Sequence, residues 1–395
     1  MKKNDGAKLF YLGWTIALIT NLIFDLSEVS NMFSAKAIIK ISNIAVLLIL
    51  LLKAVCYDNY TKRRLMVIFT ITAITFVIYN NSSDNLAVPI MFLLVAKNVD
   101  IKKFFTIDMF IRFLVWGGLF LLSNFGIVYN YQSYINGAYK NAFGWGHPNT
   151  CAAVLLLAFI ELIYIKGKQI KKGDICFIVI GVLFLYNYCE ARTYLISFAT
   201  IIIWIIIVSR NDKYSLVKNQ AIYLSILPLC IFISFICLYL YRINSPIGIE
   251  LNKLLTGRLE FSNRFINEYG LSFAGQEIIT IGSRKAKELG VTSAILDMSY
   301  IRIPIKYGLI VLMVYVIAYS KLTIKLVKSN LVFELMFVMF IHLIGIASTV
   351  PTRLYSNMTL IFFWVTIREN MNTDSDLIKD TISENGGEEY RRGLQ

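Results

Sequence analysis

Long apolar runs recur along almost the whole of this chain, and they constrain its fold more than any other feature. Most extend over roughly 17–23 residues, and about 20 apolar residues are needed for a helix to cross the hydrocarbon core of a bilayer. The composition agrees, because 57% of the residues are hydrophobic and only 16% are charged. In soluble domains, by comparison, about 45–50% of the residues are apolar and about 25% are charged. The sequence therefore predicts an all-α, polytopic integral membrane protein.

The apolar runs predict about twelve membrane-spanning helices. They divide the chain into a membrane domain of about nine helices at 1–241, a large loop at 242–303, three further spans at 304–368 and a polar tail at 369–395. We expect the tail to be disordered. The predicted spans are Leu9–Phe24, Ile38–Cys56, Leu65–Tyr79, Leu86–Ala96, Met109–Val128, Pro148–Ile165, Ile175–Cys189, Thr193–Ser209, Ala221–Tyr241, Pro304–Ser320, Leu331–Ser348 and Leu354–Ile367.

Basic residues concentrate in alternate loops. The loops after the even-numbered spans each carry several Lys or Arg, whereas the short loops between them carry few. Cationic loops stay on the cytoplasmic side, so we expect both termini in the cytoplasm and the loop at 242–303 on the outer face of the cytoplasmic membrane. This topology accounts for most of the formal charge of +14. Nucleic acid is therefore not expected as a partner.

Arginines on the predicted outer face are the main chemical clue, because outward loops have no topological reason to be cationic. Arg192 and Arg353 lie at the ends of predicted spans, and Arg258 and Arg264 lie in the large loop. Arginines at such positions commonly anchor a helix at the lipid headgroups. A guanidinium also binds phosphate oxygens in bidentate fashion and keeps its charge. The second interpretation predicts a site for a lipid-linked diphosphate.

The segment before the sixth predicted span combines aromatic, polar and helix-starting residues. Trp145 and His147 are suited to stack on a sugar or to hydrogen-bond it. Pro148 favours the first position of a helix, and the free amides of the first turn, where Asn149 lies, favour an anion. An interfacial aromatic belt with an ordinary helix start explains the same residues equally well.

A few ionisable residues are candidate acids and bases. Asp297 and Glu190 are the acids nearest the predicted outer boundary, and Glu190 would pair most simply with Arg192. His342 lies inside the eleventh span, where an ionisable residue is a functional candidate, although packing against a neighbouring helix is the preferred interpretation. No Walker or HExxH motif and no acidic cluster with ligand spacing occurs. Neither a metal nor a cofactor is expected.

The overall plan resembles the Wzy-type polysaccharide polymerases and, more distantly, the O-antigen ligase superfamily. The shared features are about a dozen spans, the FGWGHPN segment at 143–149 before a mid-chain helix, and a late outer loop. In that loop, LTGRLEF at 255–261 is similar to the family's Gly-Arg element. LDMSY at 296–300 is similar to its acidic-or-His, Ser, Tyr pattern, and EART at 190–193 resembles a Ser-Arg-Thr element with Ala191 in place of Ser.

Two spacings in the loop also resemble these families. Ten residues separate Arg264 from Gly275, as in polymerase outer loops. Ten residues also separate Asp297 from Gly308, as His and Gly are separated in the ligases. Because Asp297 stands where the ligases have His, it is either the equivalent base or a residue that orients Arg258.

The resemblance implies a GT-C-like membrane glycosyltransferase that polymerises repeat units carried on undecaprenyl diphosphate into a capsular or O-antigen-like polysaccharide. The growing polymer would be the donor and a new lipid-linked unit the acceptor. A flippase and a chain-length regulator would be partners. The catalytic candidates are Arg258 and Asp297; the substrate-binding candidates are Arg192, Arg353, Arg264, Trp145, His147, Asn149 and Tyr300; Glu190 and His342 are further candidates.

Two alternatives stay open. A ligase that transfers the glycan from the same carrier to another acceptor shares this chemistry. A lipid-linked oligosaccharide flippase, or another transporter, belongs to a different class. Transporters commonly show internal repeats and charges near the midplane; no repeat is evident here, and Arg112 and His342 are the main ionisable residues deep in predicted spans.

Overall fold

The computed structural model of the chain describes residues 2–58, 60–81, 87–135, 138–189, 220–282, 294–353 and 355–363, and isolated positions at 195–196, 198–199, 202–203, 286 and 290. Within these ranges the protein is mostly helical, with thirteen α-helices and one antiparallel hairpin. Seven of the described helices are long and apolar enough to cross a membrane. Their number and length are those of a polytopic membrane protein.

The described elements alternate long helices with short connections. The hairpin pairs β1 (Gln132–Ile135) with β2 (Ala138–Asn141) and follows the fifth helix. The helices are α1 (Lys2–Thr20), α2 (Ala35–Cys56), α3 (Lys62–Asn81), α4 (Ala87–Leu94), α5 (Ile101–Asn124), α6 (Pro148–Lys166), α7 (Lys172–Cys189), α8 (Gln220–Arg242), α9 (Pro246–Leu254), α10 (Arg258–Tyr269), α11 (Ser299–Arg302), α12 (Leu309–Lys328) and α13 (Val332–Gly345).

Seven predicted spans correspond to the helices of membrane-crossing length, namely α1, α2, α5, α6, α7, α8 and α12. The third and eleventh coincide with α3 and α13, whose apolar stretches are shorter. The fourth corresponds to α4, which has eight residues. The eighth, Thr193–Ser209, lies largely outside the described residues. Of the twelfth, Leu354–Ile367, residues 355–363 are described, and they form turns and a 3₁₀ helix at Met358–Ile361 rather than one continuous long helix. The total of twelve spans stays a prediction.

Two helices begin at other residues than the apolar runs predict. α5 begins at Ile101 rather than Met109, because the Asp100 side chain accepts a hydrogen bond from the Lys103 nitrogen at 3.0 Å and caps the helix. The earlier start places Asp108 inside a long helix. α12 begins at Leu309 rather than Pro304, since Gly308 adopts a φ of 97° and separates α12 from a π turn at Ile303–Tyr307.

Helix α6 lies at the centre of the bundle. Every residue from Cys151 to Ile163 is buried, and all of them except Glu161 are apolar, as expected for a helix that is surrounded by other helices. It packs on α5, α7 and α13. By contrast, α12 exposes Val311, Met313 and Val314, the kind of apolar surface that faces lipid in a membrane helix.

The predicted large loop at 242–303 has structure of its own. Helices α9 and α10 fold back on α8 over a small core that includes Leu259, Phe265 and Leu296. The side-chain oxygen of Asn252 accepts hydrogen bonds from the backbone nitrogens of Leu259 and Glu260, both at 3.1 Å. It thereby satisfies amides in the first turn of α10, and this fixes the orientation of that helix.

The segment after α10 docks on the start of α12. Its backbone pairs with the π turn, since the Ser272 nitrogen donates to the Pro304 oxygen and the Gln276 nitrogen donates to the Lys306 oxygen, both at 3.0 Å. Gly275, with a φ of 100°, lies against Gly308. The loop is therefore held to the membrane helices by backbone contacts.

A buried ion pair near the C-terminal end of α2 joins the loop that follows α2 to the loop that follows α4. Lys53 Nζ donates to Asp58 Oδ2 at 2.5 Å and to the carbonyl oxygens of Val95 and Lys97 at 2.6 and 3.0 Å. The other end of α2 packs on the connection that follows α1. The basic loops after the second and fourth predicted spans therefore lie together, opposite that connection. Their position on the cytoplasmic side stays a prediction.

Candidate active site

A cavity of about 620 Å³ opens at the end of the bundle where α1 ends and α6 begins. Volumes of about 300–1,000 Å³ are usual for sites that bind small molecules. Its wall comes from stretches that are distant in sequence: 25–31, 146–157, Arg258, 295–297 and 347–356. Helices from both halves of the chain are therefore needed to form it.

Five of the residues predicted from the sequence line this cavity. They are His147, Asn149, Arg258, Asp297 and Arg353. His147 and Asn149 start α6, Arg258 starts α10, Asp297 precedes α11, and Arg353 follows α13. The structure thus gathers cations, an acid and polar groups that the sequence places in four separate regions.

Arg258 and Asp297 form an ion pair in the cavity wall. Arg258 Nε lies 3.7 Å from Asp297 Oδ2, and the side chain of Arg258 is 8% exposed while that of Asp297 is 34% exposed. Gly257, in the left-handed conformation with a φ of 81°, precedes Arg258 and turns the chain into α10. Asp297 therefore lies where it can orient the guanidinium, while its more exposed carboxylate stays within reach of a ligand.

His147 caps α6 and contributes a neutral imidazole to the cavity. Its Nδ1 accepts a hydrogen bond from the Asn149 nitrogen at 3.1 Å, so the ring hydrogen lies on Nε2. Burial lowers the pKa of His147 to about 4; nearby Asp297 opposes this shift, and the cations Arg258, Lys140 and Arg353 add to it. At neutral pH His147 can therefore donate one hydrogen bond to a ligand without adding charge.

Acidic residues of the α1 to α2 connection form another part of the wall. Asp25 and Glu28 both line the cavity. Asn31 Nδ2 donates to Glu28 Oε2 at 2.6 Å, and the Ser27 side chain caps the turn at Glu28–Asn31. These acids were not predicted from the sequence, although their position directly after the predicted outward-facing end of a span was a usable signal.

Four other predicted residues lie away from the cavity wall. Trp145 is fully buried and pairs its backbone with Ser27. Tyr300 is fully buried, and its hydroxyl donates to the His342 oxygen at 2.8 Å. His342 is buried inside α13, and Arg264 is exposed on α10. The two aromatic side chains and His342 thus contribute to packing.

The remaining two candidates, Glu190 and Arg192, lie outside the described residues. Within the described ranges, no group of three or more His, Cys, Asp or Glu is placed to hold a metal ion. The described cavity wall instead offers guanidinium groups that can bind phosphate oxygens. It also offers carboxylates, an amide and an imidazole that can hydrogen-bond hydroxyl groups.

Comparisons with protein-family models, with characterised proteins and with solved structures gave no match for this chain. The function of the chain is therefore inferred from the residues of the cavity and from the chemistry they support.

Proposed function

We propose that the protein is a membrane glycosyltransferase that polymerises undecaprenyl-diphosphate-linked repeat units into a capsular or O-antigen-like polysaccharide on the outer face of the cytoplasmic membrane. The observation that carries the proposal is the convergence of Arg258, Arg353, His147 and Asp297 on one cavity. The resemblance to the Wzy-type polymerases adds the expectation of a GT-C-like arrangement with about twelve spans.

The reaction requires a leaving group to be stabilised. The acceptor hydroxyl attacks the anomeric carbon of the donor, a new C–O bond forms, and the bond to the lipid diphosphate breaks. Negative charge then grows on the diphosphate, where Arg258 and Arg353 are placed to stabilise it. Asp297 has two compatible roles: it orients Arg258, and its carboxylate accepts the hydroxyl proton.

The cavity also suits an amphiphilic substrate. Along α6 its wall changes from polar to apolar, because His147, Asn149 and Thr150 lie at the start of the helix and Ala153, Val154 and Leu157 follow. From Pro148 to Leu157 the helix extends by about 14 Å, at 1.5 Å per residue. A diphosphate near the start of α6, with apolar groups of the substrate further along the helix, matches this division.

Two alternatives share part of this description. A ligase would use the same donor and the same cations and would differ in its acceptor. A flippase would move the lipid-linked unit without breaking a glycosidic bond, so it would need no base beside the diphosphate site. The Arg258 and Asp297 ion pair in the wall favours a transferase.

The experiment that tests the proposal is deletion of the gene in its host, followed by gel analysis of lipid-linked and surface glycan. Complementation uses the wild type, Arg258→Ala and Asp297→Ala, with membrane protein levels measured. Lys253→Ala is the matched control, because Lys253 is an exposed cation of the same loop that pairs with Glu250 at 2.7 Å.

Single repeat units that accumulate on the carrier at the outer leaflet are the expected result. Arg258→Ala should fail to restore polymer at normal protein level, whereas Lys253→Ala should restore it. Repeat units trapped on the inner leaflet would indicate a flippase instead. Complete polymer retained on its carrier would indicate a ligase.

A further inference from the structure

A buried charge cluster lies in the bundle, apart from the residues that the proposed reaction uses. Asp108 and Arg112 are one turn apart on α5, and Glu161 faces them from α6. Arg112 Nε lies 2.5 Å from Asp108 Oδ2 and 3.4 Å from Glu161 Oε1. All three side chains are 0–1% exposed.

The two carboxylates of the cluster differ in their hydrogen bonds. Asp108 accepts from Arg112 Nε through one oxygen and from Trp14 Nε1, at 2.7 Å, through the other. Arg112 also donates through Nη2 to the Tyr355 oxygen at 2.8 Å. Within the described residues, Glu161 has a weaker contact, 3.4 Å from its Oε1 to Arg112 Nε, and neither of its oxygens accepts a hydrogen bond of good geometry. Asp108 is therefore solvated as an anion by its neighbours, and Glu161 is not.

Charge balance leads to the same distinction. One guanidinium faces two carboxyl groups, and among the described residues Asp108 and Arg112 are the charged groups that act on Glu161 from the elements packed around it. If both acids were ionised, the buried cluster would carry one uncompensated negative charge, which is strongly unfavourable away from water. One proton makes the cluster neutral.

We propose that Glu161 is a proton-binding site, with its carboxyl group protonated at neutral pH beside the Asp108 and Arg112 ion pair. Protonation also gives Glu161 a hydroxyl donor, which a carboxylate lacks. A proton taken up from water converts the anion to the acid, and no other bond changes.

The site lies directly beneath the cavity. Leu157, which lines the cavity, is one helical turn before Glu161 on α6. Ser356 also lines the cavity, and it follows Tyr355, whose carbonyl oxygen accepts from Arg112. The proton on Glu161 therefore determines the charge next to the segment that continues from Arg353, and it does so whatever reaction the cavity supports.

Infrared spectroscopy of the full-length protein in lipid at neutral pH tests the proposal. A protonated carboxyl group has a C=O stretching band that is distinct from the bands of carboxylates. The wild type, Glu161→Gln, Asp108→Asn and Glu334→Gln are compared. Glu334 is the matched control, because it is an acid of another helix that accepts a hydrogen bond from the Tyr164 hydroxyl at 2.9 Å.

We expect Glu161→Gln to abolish a protonated-carboxyl band that Glu334→Gln retains, with a melting temperature close to that of the wild type. Asp108→Asn should also abolish the band, since Glu161 then becomes the counter-ion of Arg112 and ionises. A spectrum in which neither variant changes that band overturns the proposal. If Glu161→Gln does not fold, the Asp108→Asn spectrum alone decides between the two outcomes.

Discussion

Gly275 and Gly308 pack backbone against backbone, so closely that a Cβ atom on Gly308 would lie 2.6 Å from the Gly275 nitrogen. They are the glycines that end the two ten-residue spacings counted from Arg264 and Asp297. Both have a positive φ, at 100° and 97°. Their spacing in the sequence therefore reflects how the loop at 242–303 docks on α12, with no direct contact to a ligand required.

Replacing Gly308 with Ala should destabilise the protein. The new methyl group would clash with the backbone of Gly275 and Phe273, and its φ of 97° is strained for any residue with a Cβ. We expect a loss of about 2 kcal/mol or more, measured as a lower melting temperature in detergent.

Gly117→Ala is the control for this substitution. Gly117 lies in α5, and a Cβ atom there would meet no other atom within 4 Å. Alanine should be neutral or stabilising by up to about 1 kcal/mol. Equal melting temperatures for Gly308→Ala and the wild type would contradict the close packing.

Two arginines of α10 should differ sharply in their contribution to activity. Arg258 lines the cavity, whereas Arg264 is exposed on the same helix. Removing a group that stabilises developing charge typically reduces turnover by about 100-fold or more. We expect that loss for Arg258→Ala and near wild-type polymer for Arg264→Ala, scored by glycan gels at matched protein levels. A similar loss in both variants would argue against the cavity as the reaction site.

The ionisation of His147 should be displaced to acid pH. The chain has only two histidines, so nuclear magnetic resonance of the labelled imidazoles can assign them with one His147→Asn variant. We expect His147 to stay neutral from pH 7 to pH 5 and to gain its proton only near pH 4. A midpoint near the ordinary value of 6.5 would show that burial and the cations do not act on this ring.

The same shift has a consequence for stability. Because the pKa of His147 is lower in the folded state, its contribution is complete above pH 6.5 and declines as the pH falls toward 4. Asparagine can also cap a helix, so His147→Asn should remove this pH dependence while it retains the start of α6. An unchanged stability profile in the variant would assign the dependence to other groups.

The ion pair of Lys53 and Asp58 should show strong coupling in a double-mutant cycle. Both side chains are 0–1% exposed, and removing one partner of a buried pair typically costs about 3–5 kcal/mol. We expect Lys53→Met and Asp58→Asn each to lower the free energy of unfolding by an amount of this order. The double variant should recover part of the loss, whereas additive losses would show that the pair is not coupled.

The length of the apolar runs was sufficient to predict the long helices, because a span of about 20 apolar residues has few alternatives to a helix. It did not fix the helix ends. Asp108 lies one residue before the predicted start of the fifth span, so its place in the buried cluster was missed. The helix starts earlier because Asp100 caps it, and a hydropathy pattern does not register caps.

The residues of the candidate site were likewise predicted only in part. His147, Arg258, Asp297 and Arg353 were identified by residue type and position, and they meet in one cavity. Glu161 was not identified, because its surroundings in the sequence are apolar and its partners come from α5. Contacts between distant segments depend on the packing of helices, which local sequence does not encode residue by residue.

The residues of the cavity wall come from distant stretches of the chain, and this determines what an exchange of stretches between related proteins would change. An exchange of residues 246–303 between two proteins of this architecture would transfer Arg258 and Asp297 together, while His147 and Arg353 would stay with the recipient. The chimera would then combine the Arg258 and Asp297 pair of one parent with His147 and Arg353 of the other. Single substitutions in one stretch would accordingly change one part of the cavity wall while the residues from the other stretches stay the same.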